Sequence, residues 1–247
     1  MNLFEKSYSV MFKNVLRAAN PIKKRIIKTE CEVHRFINNQ GVEILKNDGY
    51  IDAYNLMSKY IKEINEGAVW ADQDFKSANH FYNPETGRGL YGNSNAFREI
   101  MTYYGKALNL YYNDNVRDAM FYFGAACHII QDLTVPQHVN VRLLDKHRQY
   151  EQWIIRTYKE HDLFKVYRNG IYLKTIPEFI EYNSRHAIGA YKKFLYEKNR
   201  QVKFFKTTSV ILVLAQKTTA GAMLKFYNDI QRMKPYIEKR KKDMLKI

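Results

Sequence analysis

Cysteine is nearly absent from this chain: Cys31 and Cys127 are the only two in 247 residues. That excludes a four-thiolate zinc site and a disulfide-built scaffold, and it fits a reducing compartment. Glycine and proline are scarce as well, at 11 and 5, too few to turn a many-stranded sandwich. Acidic residues fall short of basic ones, 25 Asp and Glu against 40 Lys and Arg, for a net charge of +15. The imbalance predicts anionic partners, either a lipid surface or nucleic acid. Long apolar runs are missing: residues 209–215 are apolar but short and are flanked by Lys206 and Lys217, so no membrane span is expected. The opening residues lack a positive segment followed by an uninterrupted apolar run and a small-residue cleavage site. No export signal is therefore read, and a cytoplasmic or peripheral-membrane protein is expected.

What is present is apolar and aromatic surface, 46% and 15% of residues, enough to bury one large core. Apolar residues recur at spacings of three and four through residues 51–64, 96–112, 116–133, 143–167, 176–196 and 210–230, the period of helices that bury one face. Loops are expected at residues 65–74, 83–94 and 136–142. The fold class read from this pattern is all-α, a single-domain multi-helix bundle occupying residues 30–233. A basic extension, residues 1–29, precedes it with Lys23, Lys24, Arg25 and Lys28. A basic tail, residues 234–247, follows with Lys234, Lys239, Arg240, Lys241, Lys242 and Lys246. Such clusters suit electrostatic attachment to an anionic membrane. The aromatic residues Tyr103, Tyr104, Tyr111, Tyr112, Phe121, Tyr122 and Phe123 read as packing stripes.

Chemistry enters with the histidines. Five of the seven form an ordered series with acidic partners: His34, then Asp72 and His80, then His128, Asp132 and His138, then His147 and Glu151. An α-helix returns to the same face after three or four residues, so His128 with Asp132, and His147 with Glu151, each aim two donors at one spot. Neutral imidazole with carboxylate suits zinc or a similar divalent ion in a hydrolytic site. Pro136 ends the helix carrying the first pair and returns His138 toward it. His161 and His186 stand outside this pattern and read as ordinary polar or core histidines.

The run HIIQDLTVPQHVN, residues 128–140, resembles the signature of the zinc-dependent phospholipase C family, which includes the P1-type nucleases. Histidine, aspartate, proline and histidine stand at His128, Asp132, Pro136 and His138. HFYNPETG, residues 80–87, is similar to the family's upstream histidine segment, and QKTTAGAMLKFYND, residues 216–229, to its last helix. The resemblance implies two or three zinc ions. One is held by His80, His128 and Asp132 with Asp72 beside it as ligand or base. A second takes His138, His147 and Glu151, and a third shares Asp132 with His34. The family completes that third site with an N-terminal tryptophan, and no tryptophan precedes His34 here. Cys31, one helical turn before His34, is either a replacement thiolate or a small buried residue. Asp72 is favoured over Asp74 as base because it ends the apolar stretch Ala68, Val69, Trp70 and Ala71. Ile129 and Gln131 replace the residues usual between the signature histidine and aspartate, and Gln73 stands where a tyrosine is expected. Head-group preference is left open by these departures.

The function implied is zinc-dependent phosphodiester hydrolysis, a phospholipase C releasing a phosphorylated head group by attack of metal-activated water. The HxxxE spacing of His147 and Glu151 favours phospholipases over nucleases. A P1-type nuclease or other phosphodiesterase is the alternative, favoured by the net charge. A non-catalytic, metal-stabilised module that binds anionic surfaces is the reading from another class.

Overall fold

The computed structural model describes residues 20–73, 79–90, 95–140 and 147–244, with backbone alone at 20–30, 147, 148, 241 and 244. The chain is all-α, and no strand occurs among the described residues. Its helices are α1 (Asn20–Asn47), α2 (Ile51–Lys59), α3 (Ile61–Ala71), α4 (Ala96–Tyr112), α5 (Val116–Asp132), α6 (Pro136–Val139), α7 (His147–Thr157), α8 (Ile176–Lys193) and α9 (Arg200–Met244). No described helix is long and apolar enough to cross a membrane.

Local chemistry sets several of the boundaries. Gly49 takes a left-handed φ of 88° and ends α1, its amide bonding to the Lys46 carbonyl and that of Tyr50 to Leu45, the paired closure that glycine permits. The Asn95 side chain caps α4 by accepting from the Arg98 amide at 3.1 Å. The Thr175 hydroxyl caps α8 by accepting from Glu178 at 3.3 Å, and the Glu178 carboxylate returns to the Lys174 amide.

Helix α5 lies at the centre, and every residue from Phe123 to Asp132 is buried. Around it gather Met57, Ile64, Ile100 and Phe226, with Phe226 stacked on Phe123 at 4.3 Å between ring centres. Two glycines let α3 and α5 touch backbone to backbone. A Cβ at Gly67 would meet the Phe121 carbonyl oxygen at 1.8 Å, and one at Gly124 would meet that of Ile64 at 2.0 Å. Gly124 lies one turn before His128, so this contact also sets the height of the signature histidine beside the end of α3.

Several expected boundaries are corrected. The segment read as one helix over residues 51–64 breaks at Tyr60, and α3 continues to Ala71. The loop expected from residue 65 therefore starts at Asp72. Gly67, which resembles a turn residue in sequence, is helical because the α5 backbone occupies its side-chain space. The helix expected to reach residue 167 stops at Thr157, followed by a short 3-10 turn at Asp162–Phe164. Asp48 holds the chain beyond that turn, accepting from the amides of Asn169 and Gly170, each at 2.8 Å, and from the Tyr172 hydroxyl at 2.5 Å. Helix α8 ends at Lys193, three residues short of the expected limit, and α9 outruns the apolar stripe of residues 210–230 at both ends. Asn199 caps its start by accepting from the Gln201 and Val202 amides. Lysine and arginine are good helix formers, so a basic segment without an apolar face can still continue a packed helix.

Both expected segment boundaries, at residues 29/30 and 233/234, fall inside continuous helices, α1 and α9. Part of the basic tail is engaged with the body: the Arg240 guanidinium donates to Asn113 Oδ1 at 2.6 Å and lies 4.7 Å from the Tyr112 ring centre. The aromatic stripes pack as expected, with Tyr103 and Tyr104 buried and Trp70 in edge contact with Tyr103 and Tyr122.

Candidate metal centre

Asp132 closes helix α5 and is the hub of the site. Its Oδ2 accepts from His80 Nδ1 at 2.8 Å and lies 3.2 Å from His128 Nε2. Its Oδ1 lies 3.5 Å from His34 Nε2. His128 reaches the aspartate along one helix face, as the four-residue spacing dictates, and His34 enters from α1, stacked on His128 at 3.9 Å between ring centres. His80 arrives from the segment between α3 and α4. Asp72 stands at the C-terminal cap of α3.

Two groups of three donors result among the described residues: His34, His128 and Asp132; and Asp72, His80 and His128. Within each, one ligand atom per residue lies within 4.8 Å of the other two. The two groups divide the residues expected at the first zinc: Asp132 lies beside His80 and His128, Asp72 groups with the two histidines and not with Asp132, and Asp132 also lies beside His34. His138 joins the same neighbourhood: its Nδ1 donates to the His80 carbonyl at 3.3 Å, its ring stacks on Phe81, and it acts electrostatically on Asp132. Glu151, on α7, acts electrostatically on His34. His147 opens α7, but its side chain lies outside the described residues, as does Asp74. The trio of His138, His147 and Glu151 is therefore placed only in part. Cys31 is buried beside the α3 backbone, its sulfur 4.0 Å from the Val69 carbonyl, and it belongs to neither donor group. His161 packs on Phe164 and Phe205, and His186 bonds to the Tyr182 carbonyl, away from these groups.

The electrostatics favour a cation. Burial lowers the pKa of His34 to about 4, helped by neighbouring His128 and opposed by Asp132. Burial also lowers that of His128, against the pull of Asp132. For Asp132 burial acts upward, but His128, His138 and the hydrogen bonds from His128 and His80 outweigh it and hold the carboxyl well below its usual range. At neutral pH the cluster is a carboxylate surrounded by uncharged His34 and His128 rings, the protonation state that divalent ions bind.

Unused lone pairs make the same point. With Nδ1 donating to Asp132, His80 presents a bare Nε2 that is buried without a partner. At His128 the Ala68 carbonyl calls for a proton on Nδ1, which leaves Nε2, beside Asp132, as the ligand atom. An orphan such as His80 Nε2 is costly in a protein interior, and a cation held between nitrogen and carboxylate donors would remove the cost. The residues present fit zinc in donor type and in spacing.

The sequence marks Gln131 as a departure but not the partners that join it to His34. Gln131 Oε1 accepts from His34 Nδ1 at 2.8 Å, while Gln131 Nε2 donates to Asn38 Oδ1 at 2.7 Å and to Thr219 Oγ1 at 3.1 Å. Gln131 and its two partners, Asn38 and Thr219, are all buried. The one available signal is an amide side chain on the inward face of an otherwise apolar helix.

An all-α bundle that gathers imidazole and carboxylate donors around one central aspartate defines a helical candidate metal centre. The family model for zinc-dependent phospholipase C matches residues 33–202, and the chain belongs to that family. It is 24% identical over 238 residues to a phospholipase C of Clostridium novyi, covering 81% of this chain and 59% of that one. Identity is 26% over 148 residues to a phospholipase C of Paraclostridium bifermentans, with 49% and 36% covered. The chain thus spans less than two thirds of these curated relatives. The structure of the alpha toxin from Clostridium absonum shares the fold at a TM-score of 0.70 and 21% identity, covering 80% of this chain and 63% of the toxin.

Proposed function

We propose that this chain hydrolyses phosphodiesters as a zinc-dependent phospholipase C, with His34, Asp72, His80, His128, Asp132, His138, His147 and Glu151 holding two or three zinc ions. The observation that carries the reading is the Asp132 carboxylate, whose two oxygens face different histidines within 3.5 Å. Bound zinc supplies Lewis acidity to phosphoryl oxygens and lowers the pKa of a coordinated water toward about 7. The protein's own part is to keep the donors uncharged or anionic and oriented. The hydrogen bonds from His128 and His80 favour the ionised form of Asp132. The carbonyl of His80 fixes the His138 ring through Nδ1, which leaves Nε2 as its ligand atom. Asp72, less buried than the histidines and within reach of His80 and His128, serves as the base whose carboxylate oxygen takes the proton of the attacking water.

Phospholipid is the proposed substrate on the strength of family membership and of relatives named phospholipase C. A net charge of +15 supports peripheral contact with anionic membrane, and it also favours the second reading, hydrolysis of nucleic acid. The test is a zinc count on purified full-length protein, then parallel assays on phosphatidylcholine vesicles, acidic-lipid vesicles and single-stranded nucleic acid. Zinc-dependent release of phosphorylated head group from either vesicle, lost in His128→Ala, is the expected result. Cleavage of nucleic acid alone would transfer the chain to the nuclease branch. Protein that binds no zinc and cleaves none of the substrates would overturn the enzymatic reading in favour of a surface-binding module.

A further inference from the structure

Four side-chain amides run in series behind His34, and their polarity is consistent throughout. Asn65 Nδ2 donates to Asn39 Oδ1 at 3.4 Å, Asn38 Nδ2 to Asn65 Oδ1 at 3.0 Å, and Gln131 Nε2 to Asn38 Oδ1 at 2.7 Å. Thr219 on α9 takes a second bond from Gln131 Nε2. With its nitrogen committed twice, Gln131 can offer His34 only a carbonyl oxygen, which accepts and cannot donate. The His34 ring must therefore carry its proton on Nδ1, leaving Nε2 as a lone pair. Inverting the Gln131 amide would set two acceptors face to face at Asn38, and repairing that would require inverting Asn38 against Asn65 as well.

That lone pair faces Asp132 Oδ1 at 3.5 Å, acceptor toward acceptor. In a site without a cation the better tautomer would be Nε2–H, donating to the carboxylate. The amide chain enforces the arrangement that disfavours an empty site and suits an occupied one. Helices α1, α3, α5 and α9 each contribute a member, so the ring is held by the packed body and not by its own helix.

We propose that Gln131, clamped by Asn38 and Thr219, is a positioning residue that locks His34 as the Nδ1–H tautomer and presents Nε2 to a zinc ion shared with Asp132. The inference rests on the metal-centre reading given under Proposed function. Partners of this kind on the far nitrogen of a ligand histidine are typically worth about 10- to 100-fold in metal affinity. Gln131 stands where other residues are usual between the signature histidine and aspartate, so the device answers to this chain's own residues.

The test uses full-length, zinc-loaded protein and two substitutions. Gln131→Met keeps length and removes the acceptor, whereas Gln131→Glu keeps an acceptor for Nδ1 and loses the donors. Zinc affinity is measured by competition with a chromophoric chelator. The tautomer is read from long-range proton–nitrogen NMR correlations of the His34 imidazole, and a thermal melt reports folding. Wild type should show an Nδ1–H signal at His34. Gln131→Met should bind one zinc about 10- to 100-fold more weakly with the remaining zinc unchanged, and Gln131→Glu should restore that affinity. His34→Ala should lose the same ion. If Gln131→Met fails to fold, the NMR signature in wild type and the affinity of Gln131→Glu decide. An Nε2-protonated His34 in wild type, or a folded Gln131→Met with undiminished affinity for every zinc, overturns the inference and leaves the metal centre standing. Wild type that binds no zinc defeats the parent reading instead.

Discussion

Replacing Gly124 with alanine tests the claim that a backbone contact between α3 and α5 supports the site. The added methyl would lie 2.0 Å from the Ile64 carbonyl oxygen and 2.7 Å from the Ile64 Cα. Both obstacles are helix backbone, so no side chain can swing away, and the helices must part by about 1.4 Å to bring the 2.0 Å approach to an ordinary 3.4 Å. A gap of about 1 Å already forfeits up to about half of each dispersion contact across the interface, and overpacking costs about 1–3 kcal/mol. Taking the upper end, and subtracting about 1 kcal/mol for alanine's better helix propensity, leaves a net loss of about 2 kcal/mol. At about 2–4 °C per kcal/mol for a chain of this size, melting should fall by about 4–8 °C. The same displacement would move Asp72, at the end of α3, away from His128, and should lower the zinc content of the folded protein. Gly105→Ala is the control. It lies within α4 with nothing within 4 Å of its would-be Cβ, and alanine there should raise melting by about 2–4 °C. Differential scanning calorimetry with metal analysis reads both. A Gly124→Ala protein that melts at or above wild type and keeps its zinc would refute the reasoning.

Asp132→Asn should lose activity by more than about 100-fold, beyond the loss typical of an orienting partner; near-normal turnover on the preferred phosphodiester, with zinc retained, would remove Asp132 as the shared ligand. Zinc removal by a chelator should lower the melting temperature, because free zinc at about 100 times its dissociation constant contributes about 2.7 kcal/mol to the folded state; identical melts before and after chelation would contradict a metal-supported site. Asp48→Ala should destabilise by about 2 kcal/mol at neutral pH through loss of charge-assisted hydrogen bonds, measured by urea unfolding. The pH dependence has a definite sign. Burial acts upward on Asp48, but the Tyr172 hydroxyl, the Gly170 and Asn169 amides and Arg168 outweigh it and lower its pKa below 3.8. The carboxylate's contribution is thus present in full above the unfolded value and fades as pH falls through the folded one, so wild type and variant should converge below about pH 4. A difference that persists unchanged into acid would assign Asp48 a role unrelated to its charge.

Much of this fold is legible in the sequence because its helices bury one face each. The apolar stripe of residues 96–112 coincides with α4, and that of residues 116–133 overshoots α5 by one, since apolar periodicity ends where packing ends. The failures occur where another element overrides the local signal. Gly67 resembles a breaker, but its missing Cβ is what allows α5 to press against it. The chain after Thr157 leaves the helix because it is drawn to Asp48, more than a hundred residues earlier in sequence. No local pattern announces either partner.

The candidate site divides in the same way. His128 and Asp132 share a helix face, so their convergence follows from spacing alone. The approach of His34 and His80 followed only from the family resemblance, because each lies on a different element, and tertiary packing brings them in. The role of Gln131 was hidden for a deeper reason. In sequence it is a departure from the residue usual between the signature histidine and aspartate, the kind that alters the orientation of a ligand without changing its identity. In the fold it is a buried amide whose oxygen can face only one way, and that direction fixes which nitrogen of His34 is free. The ligand's identity can be read one residue at a time. Its protonation cannot, because the tautomer is set jointly by α1, α3, α5 and α9, and it exists only when all four are packed.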